Sequence, residues 1–510
     1  MKKSLIALAA LAATSAFAQS SVTLYGIVEA TVDVGYKRII ESTNTVSGFN
    51  AAGAATGTSP TFTAPVYVAN VLTFGGTVTP AAPTVNSGNT TVRNEQKNGF
   101  RVQDGNDQGT GTSRVGFRGT EDLGGGMKAN FLMEMGIRID DGCTTLGAAT
   151  TATGAATTNG TAACANGGGS GESGGAMFGR NAWGGISGGF GEVRLGRQVV
   201  GSFGVQANSW AAGSSNGLYD AGSGTAPLMG GVRFSNAIRY MSPDFGGFKG
   251  SLMFAAPETN ANTSTSTSAP NPALSGNIVT TGGASRRTGV DLALEYANGP
   301  AYIGFGYNKR DAGNNTSGAN PFAVGGTSNF TGNNVSVGTI TGYTLGGSYD
   351  LGVVKPFLNY TRATTRTNRT DSLVTGSTAT DNSVAASGDL SQRAVSIGLR
   401  APVGAFTVIA GYGRQRANGS GQQFVSQASG STSYRQATQI SQNAFQLGAQ
   451  YALSKRTLLE ANYGYNRTTT ATDSTVANSN GATNAGVSGA QSFRQNDRIS
   501  AFNVGLKHSF

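Results

Sequence analysis

The sequence predicts an all-β fold, a 16-stranded antiparallel transmembrane β-barrel with short turns at one end and long loops at the other. Three observations predict it. Strand-length segments alternate apolar and polar side chains with period two, in arms of about ten residues, the length a tilted strand needs to cross a bilayer. No run of about 18 apolar residues follows the N-terminus, which excludes transmembrane helices. The 510 residues include 78 glycines, only 12% charged and 38% hydrophobic residues, too lean for the buried cores of two to four soluble domains. A soluble β-sandwich or a secreted β-rich adhesin is the competing class.

Met1–Ala18 reads as an export signal: Lys2 and Lys3, the apolar run Leu5–Ala13, then Ala16-Phe17-Ala18 as the cleavage site. Residues 19–510 form the barrel domain. Without Lys2 and Lys3 the formal charge falls from +10 to +8, since 34 Lys and Arg face 26 Asp and Glu. Export places the chain where disulfides persist. Cys143 and Cys164, the two cysteines of the sequence, share one polar loop and are expected to be joined, with two free thiols as the alternative.

The opening strand alternates Val22, Leu24, Gly26, Val28, Ala30, Val32 and Val34 against Thr23, Tyr25, Ile27, Glu29, Thr31 and Asp33. A Gly/Ala/Thr/Asn stretch to about residue 112 follows, with strand-like pieces such as Pro65–Phe74, and reads as an elaborated loop. Ser113–Ile139 is the organising hairpin. Val115, Phe117 and Gly119 oppose Arg114, Gly116 and Arg118 on its left arm; Phe131, Met133 and Met135 oppose Lys128, Leu132, Glu134 and Arg138 on its right. Glu121–Gly126 is the turn, rich in residues that tolerate positive φ. After the loop Asp140–Ala176 comes a hairpin over Met177–Gln198, then the segment Val199–Gly231, then Asn236–Ala255 turning at Pro243–Gly247. Four regular pairs complete the count: Arg287–Tyr296 with Ala301–Arg310, Thr339–Tyr349 with Val353–Arg362, Gln392–Leu399 with Phe406–Arg414, and Gln442–Tyr451 with Thr457–Asn466. A closing strand spans Arg498–Phe510. Seven hairpins with an opening and a closing strand give sixteen, and an even number returns both termini to one rim.

Two motif matches invite an enzyme reading and fail on context. Gly185-Ile186-Ser187-Gly188-Gly189 has nucleophile-elbow spacing but needs a strand–turn–helix and a histidine base, and the single histidine is His508 near the chain end. Gly169–Gly174 has dinucleotide spacing but sits in a glycine-rich loop. No catalytic residue, cofactor, metal or nucleic-acid partner is expected. Alternation instead directs ten bases and seven acids inward, Arg114, Arg118, Lys128, Arg138, Arg239 and Glu134 among them, and leaves the opposite face almost without charge. Hydrocarbon outside and water inside account for that contrast.

Several segments resemble the trimeric general porins of Gram-negative outer membranes, of the β-proteobacterial type: SVTLYGIVEA, SRVGFRGTEDLGGGMKA, GGFGEVRLGRQ, NAIRYMSPDFGGFKG, YANGP, YALSKRTLLEANYGY and NVGLKHSF. The resemblance implies a homotrimer in outer-membrane lipid, each barrel passing small hydrophilic solutes and ions by diffusion. It implies that the third external loop, Val199–Gly231, folds inward. It sets wall arginines Arg114, Arg197 and Arg239 against Asp220 on that loop, a surplus of bases that predicts a weak to moderate anion preference. Period two aims Arg197 at lipid, so a bulge near the strand end is needed to bring it inward. Gly505 and Phe510 match the C-terminal signal for the outer-membrane assembly machinery. A substrate-specific channel of the same fold, and a surface-binding barrel acting through its loops, are the rival functions.

The cysteine pairing has a direct test. The non-reduced mature protein is expected to resist thiol alkylation by mass spectrometry, and quantitative labelling of Cys143 and Cys164 overturns the bond.

Overall fold

A computed structural model describes residues 21–47, 60–62, 66–68, 71–73, 76–78, 88–103, 113–137, 177–211, 220–227, 231–256, 288–316, 334–372, 383–427, 430–478 and 489–510, with Ile139, Leu218 and Met229. Residues 1–18, read above as an export signal, and Arg138, Cys143 and Cys164 lie outside the described residues.

The wall begins with β1 (Ser21–Ser47). One edge of β1 pairs over Thr31–Val46 with β2 (Gly88–Gln103) and over Ser21–Ile27 with β3 (Arg114–Gly124), so β2 and β3 lie end to end as one wall strand. Antiparallel neighbours follow as β4 (Met127–Gly136), β5 (Asn181–Gly188), β6 (Gly191–Val199), β7 (Arg233–Met241) and β8 (Phe248–Ala255). The second half comprises β9 (Gly289–Asn298), β10 (Ala301–Thr316), β11 (Asn334–Tyr349), β12 (Lys355–Ser372) and β13 (Ser383–Val403). It ends with β14 (Phe406–Gln427), β15 (Gly430–Ala452), β16 (Thr457–Asn478) and β17 (Gly489–Ser509). The other edge of β1 pairs with β17 from Ile27↔Ser509 to Ser47↔Ala490, closing an antiparallel ring of sixteen strands. Phe510 completes the seam: its amide donates to the Gly26 carbonyl at 3.0 Å and its carbonyl accepts from the Gly26 amide at 3.1 Å.

Side-chain burial is inverted relative to a soluble protein. Ile238, Leu358 and Ile397 are 54–57% exposed on the outside, while Glu29, Asp33, Asp291, Asn308 and Asn503 are fully buried on the lumenal face. Period two produces both sets from the same strands. Aromatic pairs Phe248–Tyr296 (4.4 Å between centroids) and Phe406–Tyr451 (5.1 Å) sit near the short turns, where barrel proteins place a girdle at the membrane interface. The turns are tight because glycines at their tips adopt positive φ, as at Gly125 (φ 61) and Gly404 (φ 61). In the turn before β8 the Gly247 amide, at 2.6 Å, and Lys249, at 3.3 Å, hold the Asp244 carboxyl below the usual carboxylate range.

Three expectations are corrected. The opening strand runs to Ser47 rather than Val34, and part of the stretch read as an elaborated loop is strand β2, which lengthens the β1 ladder. Within the same stretch Val66–Val68 pairs with Val71–Thr73. Strands β11–β17 have 16–23 residues, well past the ten that a bilayer requires, because polar side chains extend the ladder into water. The outer face is therefore charge-poor only along the lower part of these strands. Above it Arg362, Arg393, Arg414 and Arg416 point outward.

Ile397 lies midway along the apolar outer stretch of β13. Ile397→Arg is expected to destabilise the barrel by about 2–4 kcal/mol in lipid vesicles, measured by denaturant unfolding. A neutral effect contradicts a lipid-facing wall.

Candidate functional site

Between β6 and β7 the chain leaves the wall and folds into the lumen, carrying α1 (Gly201–Asn208) and the short α2 (Ala221–Thr225). The inward fold expected of Val199–Gly231 is therefore present. The Asp291 carboxylate of β9 receives the Gly201 amide at 2.7 Å, the Ser202 amide at 3.2 Å and the Ser202 hydroxyl, and Asn308 of β10 donates to it at 3.0 Å. A carboxylate facing the first amides of a helix satisfies donors that have no intrahelical partner and suits the helix dipole. Further along, Gln206 donates to Thr361 at 3.0 Å, and the Ala221 amide donates to Gln446 at 3.1 Å.

The wall accommodates this segment with glycines. An added Cβ on Gly306 would lie 2.7 Å from Ser202 Cα, and one on Gly342 would lie 2.6 Å from Met229 Cγ. Gly346 faces Ser209 and Gly413 faces Ala221 in the same way. An apolar knot of Val200, Phe234, Ala237, Met253 and Ala255, with Phe203 against it, holds the entry point. The segment thus hugs the wall from β8 round to β15. The remaining lumen is bounded by β16, β17, β1 and β3–β6.

Charge on that open wall is paired. Arg114 lies 3.3 Å from Glu134, which also receives Arg180 at 2.8 Å, the Tyr25 hydroxyl at 2.7 Å and Asn181 at 3.2 Å. Lys507 lies 3.4 Å from Glu29, and Arg194 lies 2.7 Å from Glu192 while stacking 4.0 Å from the Trp183 ring centroid. In each of these pairs the base is the more exposed member: side-chain exposure is 27% for Arg114 against 7% for Glu134, and 26% for Lys507 against 0% for Glu29. Long cationic side chains cover short carboxylates, so the water-facing surface is basic although the wall as a whole is nearly balanced. Arg118 lies over the Tyr25 ring at 5.2 Å, and Lys128 is exposed near the short-turn rim.

The structure does not gather the expected constriction set. Arg114 and Arg239 are inward, but Arg239 donates to the Val199 carbonyl and to Ser251, both at 3.0 Å, and so pins the base of the inward segment. Asp220 is buried at the start of α2, where it accepts from the Gly222 amide at 3.1 Å against the β13–β15 side, away from both arginines. Arg197 stays on the outer face. The register does shift between Gly196 and Gln198, but the extra residue is Asn236 of β7 (φ 50), which leaves the alternation Leu195, Arg197, Val199 unbroken. Its guanidinium binds the Gly179 carbonyl and the Ser235 hydroxyl, both at 2.6 Å. Sequence reasoning missed Arg180, which precedes its strand and so has no face to be read from, and the anchoring role of Asp291. The signal for the seat was glycine at alternate inward positions such as Gly304, Gly306, Gly342 and Gly346.

The residues matched to an enzyme motif serve the wall. Ser187 accepts from Asn130 at 2.9 Å, and His508 Nδ1 pairs with the Thr457 hydroxyl at 2.9 Å.

Residues 4–471 match the family model described as Gram-negative porin. An outer membrane porin protein 32 of Delftia acidovorans is 30% identical over 51% of this chain and half of its own length. An outer membrane porin protein of Bordetella pertussis is 28% identical over 71% of this chain and 70% of its own length. Among solved structures, an anion-selective porin from Comamonas acidovorans aligns with 96% of this chain and all of its own, at 23% identity and a TM-score of 0.44.

Asp291→Ala removes the acceptor at the start of α1, at a local cost of about 1.5–3 kcal/mol per charge-assisted bond. Hydrogen exchange of the Gly201 and Ser202 amides is expected to accelerate at least about tenfold, with the barrel's melting unchanged. Unchanged exchange would show that the wall glycines and apolar knot alone hold the segment.

Proposed function

The chain belongs to the Gram-negative porin family, and we propose that its barrel is a water-filled outer-membrane channel for passive diffusion of small hydrophilic solutes and ions, weakly preferring anions. The observation that carries this reading is the exposure asymmetry of the lumenal ion pairs, with Arg114 and Lys507 toward water and Glu134 and Glu29 beneath them. At an effective dielectric near 20, a unit charge 4 Å from an ion is worth about 4 kcal/mol, and salt screens it beyond about 8 Å. A passing ion meets the cation first, and the carboxylate a few ångströms behind cancels most of the field. The resulting bias is small and favours anions without barring cations. No reaction is proposed: the barrel serves as a passage.

Met1–Ala18 directs export and is removed. The mature chain assembles as a homotrimer, with Val28, Val32, Phe502 and Val504 as candidates for contact between barrels or with lipid. Phe510 and Gly505 form the part read by the assembly machinery.

Reversal potential across a potassium chloride gradient, in planar bilayers, tests the selectivity. A modest anion preference is expected, and Arg114→Gln with Arg194→Gln and Lys507→Gln shifts it toward cations by uncovering Glu134, Glu192 and Glu29. Clear cation preference in the unmodified protein overturns the reading.

A further inference from the structure

The open wall carries apolar side chains on its water-facing side. Among the described lumenal positions of β3–β6, glycines apart, Leu132 and Trp183 are the apolar ones. Both are half-buried, and they stand side by side. Arg118 pairs with Leu132 across β3 and β4, and Leu132 pairs with Trp183 across β4 and β5. Neighbouring strands are about 4.8 Å apart, so the three residues span about 10 Å along one level of the wall. An uncovered leucine and indole in a polar passage gain by contact with an apolar solute.

Each end of this level is a guanidinium stacked on a ring. Arg194 lies 4.0 Å from the Trp183 centroid, and Arg118 lies 5.2 Å from the Tyr25 centroid. Tyr25 belongs to β1, yet its ring lies over Gly116 of β3, where an added Cβ would meet it at 2.8 Å, and its hydroxyl donates to Glu134 of β4. Gly185 makes room for Arg194 in the same way. The two arginines differ in their commitments. Arg194 donates to Glu192 at 2.7 Å, whereas Arg118 is exposed and meets no acid among the described residues. The polar groups above and below the level are engaged: Glu134 by Arg114, Arg180 and Tyr25, and Asn130 by Thr120, Ser187 and Glu192. A neutral sugar would find its hydroxyl partners occupied. An anion finds a guanidinium beside an apolar surface.

We propose that Arg118, Leu132 and Trp183 form a lumenal binding site for small aromatic carboxylates, of which benzoate is the simplest. The solute's ring covers Leu132 and packs against the indole, and its carboxylate takes two guanidinium hydrogens of Arg118. Acetate lacks the ring and benzyl alcohol lacks the charge, so each keeps only one of the two contacts. A shallow site on one side of an open lumen binds weakly and releases its solute to either end. The inference deepens the channel reading by naming a solute class and rests on it for access to the lumen; the binding itself is read without conductance.

Trp183 and Trp210 are the two tryptophans of the sequence, so Trp210→Phe leaves the emission of Trp183 alone. In the full-length barrel in detergent, 3-nitrobenzoate, whose nitro group quenches indole emission, is expected to quench Trp183 saturably. 3-Nitrobenzyl alcohol is expected to need at least about tenfold more for the same effect, and Arg118→Gln to raise the half-saturating nitrobenzoate concentration at least about fivefold while leaving that of the alcohol unchanged. A second measurement uses the unmodified protein in planar bilayers. Benzoate is expected to reduce the potassium chloride current saturably, with acetate and glucose without effect at the same concentration. Equal quenching by acid and alcohol, no response to Arg118→Gln, or a block by glucose as strong as that by benzoate overturns the proposal. Absence of current in potassium chloride alone counts against the channel reading, and the quenching still decides the site.

Discussion

A backbone amide or carbonyl left unpaired in hydrocarbon costs several kcal/mol, and everything else in this barrel depends on that constraint. An open sheet would leave two such edges, so the ring has to close. It closes at the pairing of β1 with β17, and the last residue contributes directly, since Phe510 exchanges two backbone hydrogen bonds with Gly26. Gly26 has no side chain, and an added Cβ there would collide with the Phe510 ring. The seam is thus a backbone ladder with an aromatic ring seated on a glycine.

Closure fixes which side chains face water, and period two then divides the chain's few charges. In this wall a lumenal carboxylate is used either to oppose a base or to hold the inward segment. Glu134 does the first, gathering Arg114 and Arg180. Asp291 does the second, receiving the start of α1. The two roles lie on different sides of the ring, so the inward segment hugs the side where Asp291 and the wall glycines lie and leaves the ion-paired side open to water. Arg239 belongs with Asp291 in this division, because it holds the Val199 carbonyl at the root of the same segment.

Strand count, hairpin order and the inward faces of Glu29, Arg114 and Glu134 were legible because each depends on alternation within one strand, a property local to about ten residues. What was not legible depends on neighbours. The position of Arg197 turned on whether an extra residue fell in its own strand or the next, and only the register shows it at Asn236. The commitment of Asp220 to α2 required the path of the segment through the lumen. Strand ends were also misjudged. The polar, threonine-rich continuation of strands such as β12 and β16 looks like loop by composition, yet its backbone keeps the ladder because both neighbours continue too.

That continuation explains why one strand can carry apolar, aromatic and cationic outward positions in sequence. A ladder that ended at the membrane surface would leave its last outward residues in loops of undefined direction. Here β12, β13 and β14 run for 18, 21 and 22 residues, so the side chains that meet the interface are still held by paired backbone on both sides. Rigid placement matters most for arginine, whose long side chain would otherwise fold down along the wall or up into water. With Arg362, Arg393 and Arg416 in adjacent register, the direction of each is set by strand geometry, and their mutual repulsion cannot be relieved by turning one of them inward. The same backbone pairing that closes the barrel in hydrocarbon therefore also fixes a row of arginines that meets no acid among the described residues.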